Sequence, residues 1–171
     1  MTMIFALAAR LRLALAWLGA LLFVAAGFML TWEVGARYLF VKPTIWAAEL
    51  SQLCLIWGSL LSMAWLLAAR RHIAVDAVAD RLPPAVRAWT EAAAMAVVAV
   101  FAGVTAWYGW EIFLDSAIRG RTSGTMLDVP MWIVEAPVPL GCAMLSLQAL
   151  AEMAKAFRTD WSAPRGMGEH T

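Results

Sequence analysis

The chain has 171 residues, of which 63% are hydrophobic and 15% charged, with a mean hydropathy of +0.74. Soluble domains carry about 25% charged residues, so a water-facing globule is excluded. Thirteen basic against twelve acidic residues leave a net charge of +1, which excludes a nucleic-acid binder that works through a basic face.

Four uncharged runs follow one another, at 13–32, 50–69, 92–110 and 131–151, the last carrying Glu135 near its start. At about 1.5 Å per residue each reaches roughly 30 Å, the thickness of the hydrocarbon layer. Helices satisfy their own backbone there, so the expected fold is an all-α membrane protein with four transmembrane helices. A single domain is expected over 1–158. The tail at 159–171, with Pro164, Gly166 and Gly168, reads as disordered. Arg10 and Arg12 precede the first run as they would a secretory signal, but the run is too long and ends in Met29-Leu30-Thr31-Trp32-Glu33 without a small-residue cleavage site. It reads as a retained anchor.

With the N-terminus inside, Arg10, Arg12, Arg70, Arg71, Arg81, Arg87, Lys155, Arg158 and Arg165 are cytoplasmic, against Arg37, Lys42, Arg119 and Arg121 outside. That asymmetry predicts both termini in the cytoplasm. Trp32, Trp46, Trp107, Trp110 and Trp132 then fall at the outer interface, and Trp17, Trp65 and Trp89 near the inner one.

Between the second and third runs, Val75, Val78, Ala79 and Leu82 share one helical face, and His72, Asp76 and Asp80 the other. This predicts a short amphipathic helix on the cytoplasmic surface, with His72 and Asp76 paired one turn apart. Pro83 ends it and Pro84 opens the third helix, which is expected to run to about Leu114. In the outer loop Asp128 reads as the N-cap of the fourth helix, with Pro130 as its first residue. Pro137 and Pro139 remove two backbone donors and predict a kink in its outer half.

Reaction chemistry has little to stand on. The histidines are His72 in a loop and His170 in the tail, and Cys54 and Cys142 are isolated in apolar runs. No helix offers haem ligands, and no paired thiols, GxSxG or HExxH motif occurs. No cofactor, metal or catalytic residue is expected. Glu33, Glu49, Glu91, Glu111 and Glu135 all mark span ends, so the middle of each span is free of charge. What the spans carry is small-residue spacing: Gly58 and Ser62, Ala92 and Ala96, Ala99 and Gly103, and Gly19, Gly27 and Gly35 at intervals of eight. Trp57 and Trp65 form a bulky ridge in the second span that faces lipid or another protein.

Several stretches, in order, resemble the small membrane subunit of tripartite ATP-independent periplasmic (TRAP) transporters. They are Arg37-Tyr38-x-Phe40, Trp46-x-x-Glu49-Leu50, Trp57-Gly58, Arg71-His72-Ile73-x-Val75-Asp76, Leu82-Pro83-Pro84 with Arg87, Leu127-x-x-Pro130-x-Trp132 and Pro139-x-Gly141. The likeness covers about 10–155. Glu135 departs from it, where an aromatic or apolar residue is expected. The resemblance implies a sodium-driven uptake system for organic acids such as dicarboxylates, keto acids and sialic acids. Its parts are a periplasmic substrate-binding protein, a large membrane transport subunit and this small scaffold in the bacterial inner membrane.

On that basis Trp57, Gly58, Ser62 and Trp65 are candidates for the large-subunit interface. Arg37, Lys42, Arg119 and Arg121 are candidates for docking the binding protein. His72, Asp76, Pro83 and Pro84 form a structural inner loop. The competing expectation is a self-sufficient small transporter or channel made by homo-oligomerisation.

Overall fold

The computed structural model describes residues 2–42, 44–69 and 83–157. The described chain is helical: α1 is Thr2–Leu39, α2 Trp46–Ala68, α3 Pro84–Arg119, α4 Met131–Glu135 and α5 Pro137–Ala156. Four stretches are long and apolar enough to cross a membrane: Ala9–Leu39, Trp46–Ala68, Ala88–Arg119 and Met131–Ala156. They cover the four uncharged runs except for Ala69, which lies one residue past α2. The amphipathic helix expected over 72–82, with His72 and Asp76, and the tail at 159–171 lie outside the described residues.

α1 and α3 outrun their apolar segments. With 38 and 36 residues they are far longer than α2, which has 23. At the α-helical rise they extend to roughly 55 Å, so both must tilt or project beyond the hydrocarbon layer. No residue in 84–119 breaks the helix, and α3 ends only at Gly120, whose φ of 61° suits the left-handed stop. The N–H groups of Gly120 and Arg121 both return to the Ser116 carbonyl.

α2 and α5 occupy the middle of the bundle: α1 packs on α2, α2 on α5, and α5 on α3. The residues between helices are small. Ala26, Ala47, Ala64, Ala99, Ala102, Ala149 and Ala156 are buried, whereas Trp17, Phe28, Phe101 and Trp107 are exposed. In lipid a large apolar side chain gains little by turning inward, so contacts form where backbones come closest. A Cβ on Gly19 would lie 2.7 Å from the Gly58 carbonyl oxygen, and one on Gly141 2.7 Å from that of Leu60. Those two crossings join α1 to α2 and α2 to α5. Gly27 and Gly35 have open space where a side chain would be, so only Gly19 of the three serves packing.

The loop between α3 and α4, the expected outer loop, folds back on itself. Ser123 N donates to the Val129 carbonyl (2.9 Å) and Met131 N to that of Arg121 (2.9 Å), around an isolated Thr122–Pro130 bridge. This corrects the expected cap. Asp128 sits at φ 49° with its N–H on Thr125, outside the helix, and Pro130 itself is the N-cap residue, with no side-chain cap bond.

The expected kink is a break between α4 and α5 at Ala136, which retains right-handed helical angles (φ −51°, ψ −39°). Pro137 has no N–H to give to Ile133, and the next bond, Leu140 N to the Ala136 carbonyl, stretches to 3.5 Å.

Candidate functional site

Charged and polar side chains gather at the two ends of the bundle. At the end where α1 meets the linker to α2, Glu33, only 6% exposed, is satisfied from two sides. Its Oε1 accepts from Arg37 Nη2 (2.7 Å) and Nε (3.2 Å), and its Oε2 from the N–H (2.9 Å) and hydroxyl of Thr44. The carboxylate thus ties the end of α1 to the linker ahead of α2. A buried charge is tolerated only with such partners.

Asp115 organises the end of α3 in the same way. Its Oδ1 accepts from Arg119 Nε (2.5 Å) and its Oδ2 from Arg121 Nη2 (2.7 Å). Of the four basic residues expected to face a docking protein, three are therefore ion-paired within the chain. Lys42 is exposed and forms no ion pair among the described residues.

Glu49, at the start of α2, reaches the outer loop. Thr125 Oγ1 donates to Glu49 Oε2 (2.7 Å) and lies 2.6 Å from Ser123 Oγ. The α2 ridge is turned largely to internal use. Gly58 is buried against Gly19 and Phe23 of α1. Ser62 folds its hydroxyl back onto the Gly58 carbonyl (2.7 Å), and Trp65 is half-buried. The close-approach notch on α2 is already filled by α1. Trp57 is half-buried, and its indole Nε1 donates to the Ile133 carbonyl (2.9 Å), the acceptor left free by Pro137.

Two buried oxygens, Ser116 Oγ and Glu135 Oε2, have no hydrogen-bond partner among the described residues. At the opposite end of the bundle, Arg12 Nη1 donates to Gln148 Oε1, Gln148 Nε2 to Glu152 Oε1 (2.8 Å), and Lys155 Nζ to the same oxygen (2.7 Å). Gln148 and Glu152 are each 3% exposed. Sequence reasoning missed this cluster. Its only trace was the spacing of Gln148, Glu152 and Lys155 along one helical face. Pro83 is exposed and Pro84 is the first residue of α3, in keeping with a proline-opened helix. Among the described residues no group of three or more His, Cys, Asp or Glu is placed to hold a metal ion.

Residues 28–159 match the family model described as tripartite ATP-independent periplasmic transporters, DctQ component. The chain belongs to that family. This DctQ-family small permease, with its four apolar helices, is a multi-pass protein of the bacterial inner membrane. It is 26% identical over 143 residues to the sialic acid TRAP transporter permease protein SiaT of Haemophilus influenzae, covering 84% of this chain and 23% of that protein. It is 26% identical over 106 residues to the C4-dicarboxylate TRAP transporter small permease protein DctQ of Rhodobacter capsulatus, covering 62% and 46%. Over 59 residues it is 30% identical to the sialic acid TRAP transporter small permease protein SiaQ of Vibrio cholerae, covering 34% of each chain. The DctQ-family chain thus spans under half the length of each relative that it matches.

Proposed function

We propose that this small permease is a non-catalytic scaffold in a sodium-coupled, binding-protein-dependent secondary transporter for organic acids. The observation that carries this reading is the distribution of its polar groups. Glu33 and Gln148 tie a helix end to another segment, Asp115 and Glu152 are engaged near their own helix ends, and the spans meet through Gly19, Gly58, Gly141 and buried alanines. A pump or symporter that worked alone would place ionisable groups in mid-span for ions or substrate. Substrate and sodium are therefore assigned to a large membrane subunit, and substrate capture to a periplasmic binding protein. The match to SiaT supports a large partner, because more than three-quarters of that permease lies beyond the aligned part. The relatives' names, sialic acid and C4-dicarboxylate, support an organic acid as cargo.

Because α1 fills the notch at Gly58 and Ser62, the large subunit is assigned to the exposed edge of the bundle along α1. There Trp17, Leu21, Val24 and Phe28 form one stripe at helical spacing. Both termini are assigned to the cytoplasm from the basic-residue asymmetry. The test is reconstitution. Uptake into proteoliposomes is expected only when this chain, the large subunit and the binding protein are all present. Uptake by this chain alone would instead establish the homo-oligomeric transporter or channel. Topology is read separately, from a Thr122→Cys variant lacking Cys54 and Cys142, which is expected to react with an impermeant maleimide from the periplasmic side.

A further inference from the structure

A half-open cavity of about 200 Å³ lies between α2, the outer loop and α4. Glu49, Leu53 and Ile56 form one wall, Ser123 and Thr125 the rim, and Val134 the facing wall. Glu49, Leu53 and Ile56 are spaced by four and three residues, so they make a stripe along one face of α2. The stripe extends about 10 Å along the helix axis. Glu49 is the last charged residue before the uncharged run at 50–69 and so stands where headgroups meet hydrocarbon. Leu53 and Ile56 lie one and two turns deeper. The groove is therefore polar at headgroup depth and apolar below.

The rim has a defined hydrogen-bonding sense. A threonine hydroxyl has one proton, and that of Thr125 is donated to Glu49 Oε2 at 2.7 Å. The 2.6 Å contact between Ser123 Oγ and Thr125 Oγ1 must then be donated by Ser123. Both hydroxyl protons are consumed in a relay that ends on the carboxylate. What Ser123 and Glu49 have left for a ligand is lone pairs and negative charge, including Glu49 Oε1, which has no partner among the described residues. An anionic headgroup would meet the like charge of Glu49, although the Gln52 amide that also lines the groove has N–H groups to donate. A trimethylammonium group would bring charge without a proton to donate. A primary ammonium brings charge and three donors.

We propose that this groove holds a phospholipid with a primary-amine headgroup, of the ethanolamine type. Its ammonium lies on Glu49 and Ser123, and one acyl chain runs along Leu53, Ile56 and Val134. The occupant is a lipid rather than a lysine of another protein because the apolar wall continues straight into the hydrocarbon layer from the ammonium site.

The test is native mass spectrometry of the full chain in detergent with equimolar phosphatidylethanolamine, phosphatidylcholine and phosphatidylglycerol of identical acyl chains. Phosphatidylethanolamine is expected to be retained about tenfold over the other two, the factor of one charge-assisted hydrogen bond. Glu49→Gln is expected to abolish that preference. Glu111→Gln, which removes an exposed carboxylate at the same end, is expected to keep it. Equal retention of the three lipids, or an unchanged preference in Glu49→Gln, overturns the proposal. So does a carbodiimide cross-link between Glu49 and a lysine of a copurifying protein, which would make the groove a protein-docking site.

Discussion

The indole N–H of Trp57 lies 2.9 Å from the carbonyl oxygen of Ile133, and Ile133 stands four residues before Pro137. In an unbroken helix residue 137 would donate to that carbonyl, but proline has no proton to give. A side chain from α2 replaces the missing backbone donor of the fourth span. Trp57→Phe is expected to lower stability by about 1–3 kcal/mol, the cost of leaving a half-buried acceptor within the span unmet. In a Pro137→Ala background the backbone can reclaim the carbonyl, and the same substitution is expected to cost about 1 kcal/mol less. Thermal unfolding of the four proteins in detergent measures this coupling. Equal costs in both backgrounds would mean that the indole contributes bulk alone.

Glycines on one helix are expected to differ sharply. Gly19→Ala and Gly141→Ala place a methyl group 2.7 Å from a backbone oxygen of a neighbouring helix, which must retreat. Each is expected to cost about 1–3 kcal/mol, as overpacking does. Gly27→Ala meets open space and is expected to be neutral or to gain up to about 1 kcal/mol from reduced backbone freedom. Unfolding midpoints that fell equally for all three would refute the crossing at Gly19.

Glu135 Oε2 is buried without a hydrogen-bond partner. Glu135→Leu is expected to raise the stability of the isolated small permease by about 1–3 kcal/mol, by removing that unsatisfied oxygen. Should the substitution leave the isolated chain more stable yet weaken its complex with the large subunit, the oxygen's partner lies on that subunit.

Charge reversal at the end of the bundle that carries Lys42 and Arg119 separates docking from internal support. Lys42→Glu breaks no ion pair among the described residues, whereas Arg119→Glu sets two carboxylates beside one another at Asp115. If an acidic surface of the binding protein docks here, Lys42→Glu raises the binding-protein concentration for half-maximal uptake. That effect fades as ionic strength shortens the screening length below about 8 Å. Arg119→Glu is expected to lower thermal stability as well. Uptake indifferent to Lys42→Glu would leave the outer face without a steering charge.

Much of the helical layout could be read from the chain alone. The four uncharged runs fall on α1, α2, α3 and the α4–α5 pair, the second overrunning α2 by Ala69, and Pro84 opens α3. The positions of Pro137 and Pro139 marked the break near Ala136. The site was less legible. Arg37, Arg119 and Arg121 read as docking candidates in sequence, and each lies on a carboxylate brought near by a helical turn or a loop. Asp128 read as a cap, but the outer loop folds back and takes it out of line with α4.

The division has a physical cause. Whether a segment crosses the bilayer depends on its own length and composition, because lipid tests each helix separately for charge and for backbone satisfaction. Those properties belong to the sequence, and they determined four helices for this protein. Which face of a helix meets another depends on small differences in backbone approach, since a side chain loses little by facing lipid in place of protein. Gly19, Gly27 and Gly35 are chemically identical and equally spaced, yet only Gly19 meets a neighbour, because α2 crosses at that level. The partnerships of Trp57 with Ile133, Glu33 with Thr44 and Arg12 with Gln148 span separations of 76, 11 and 136 residues. Only the packing of α1, α2, α4 and α5 and the linker between α1 and α2 decided them.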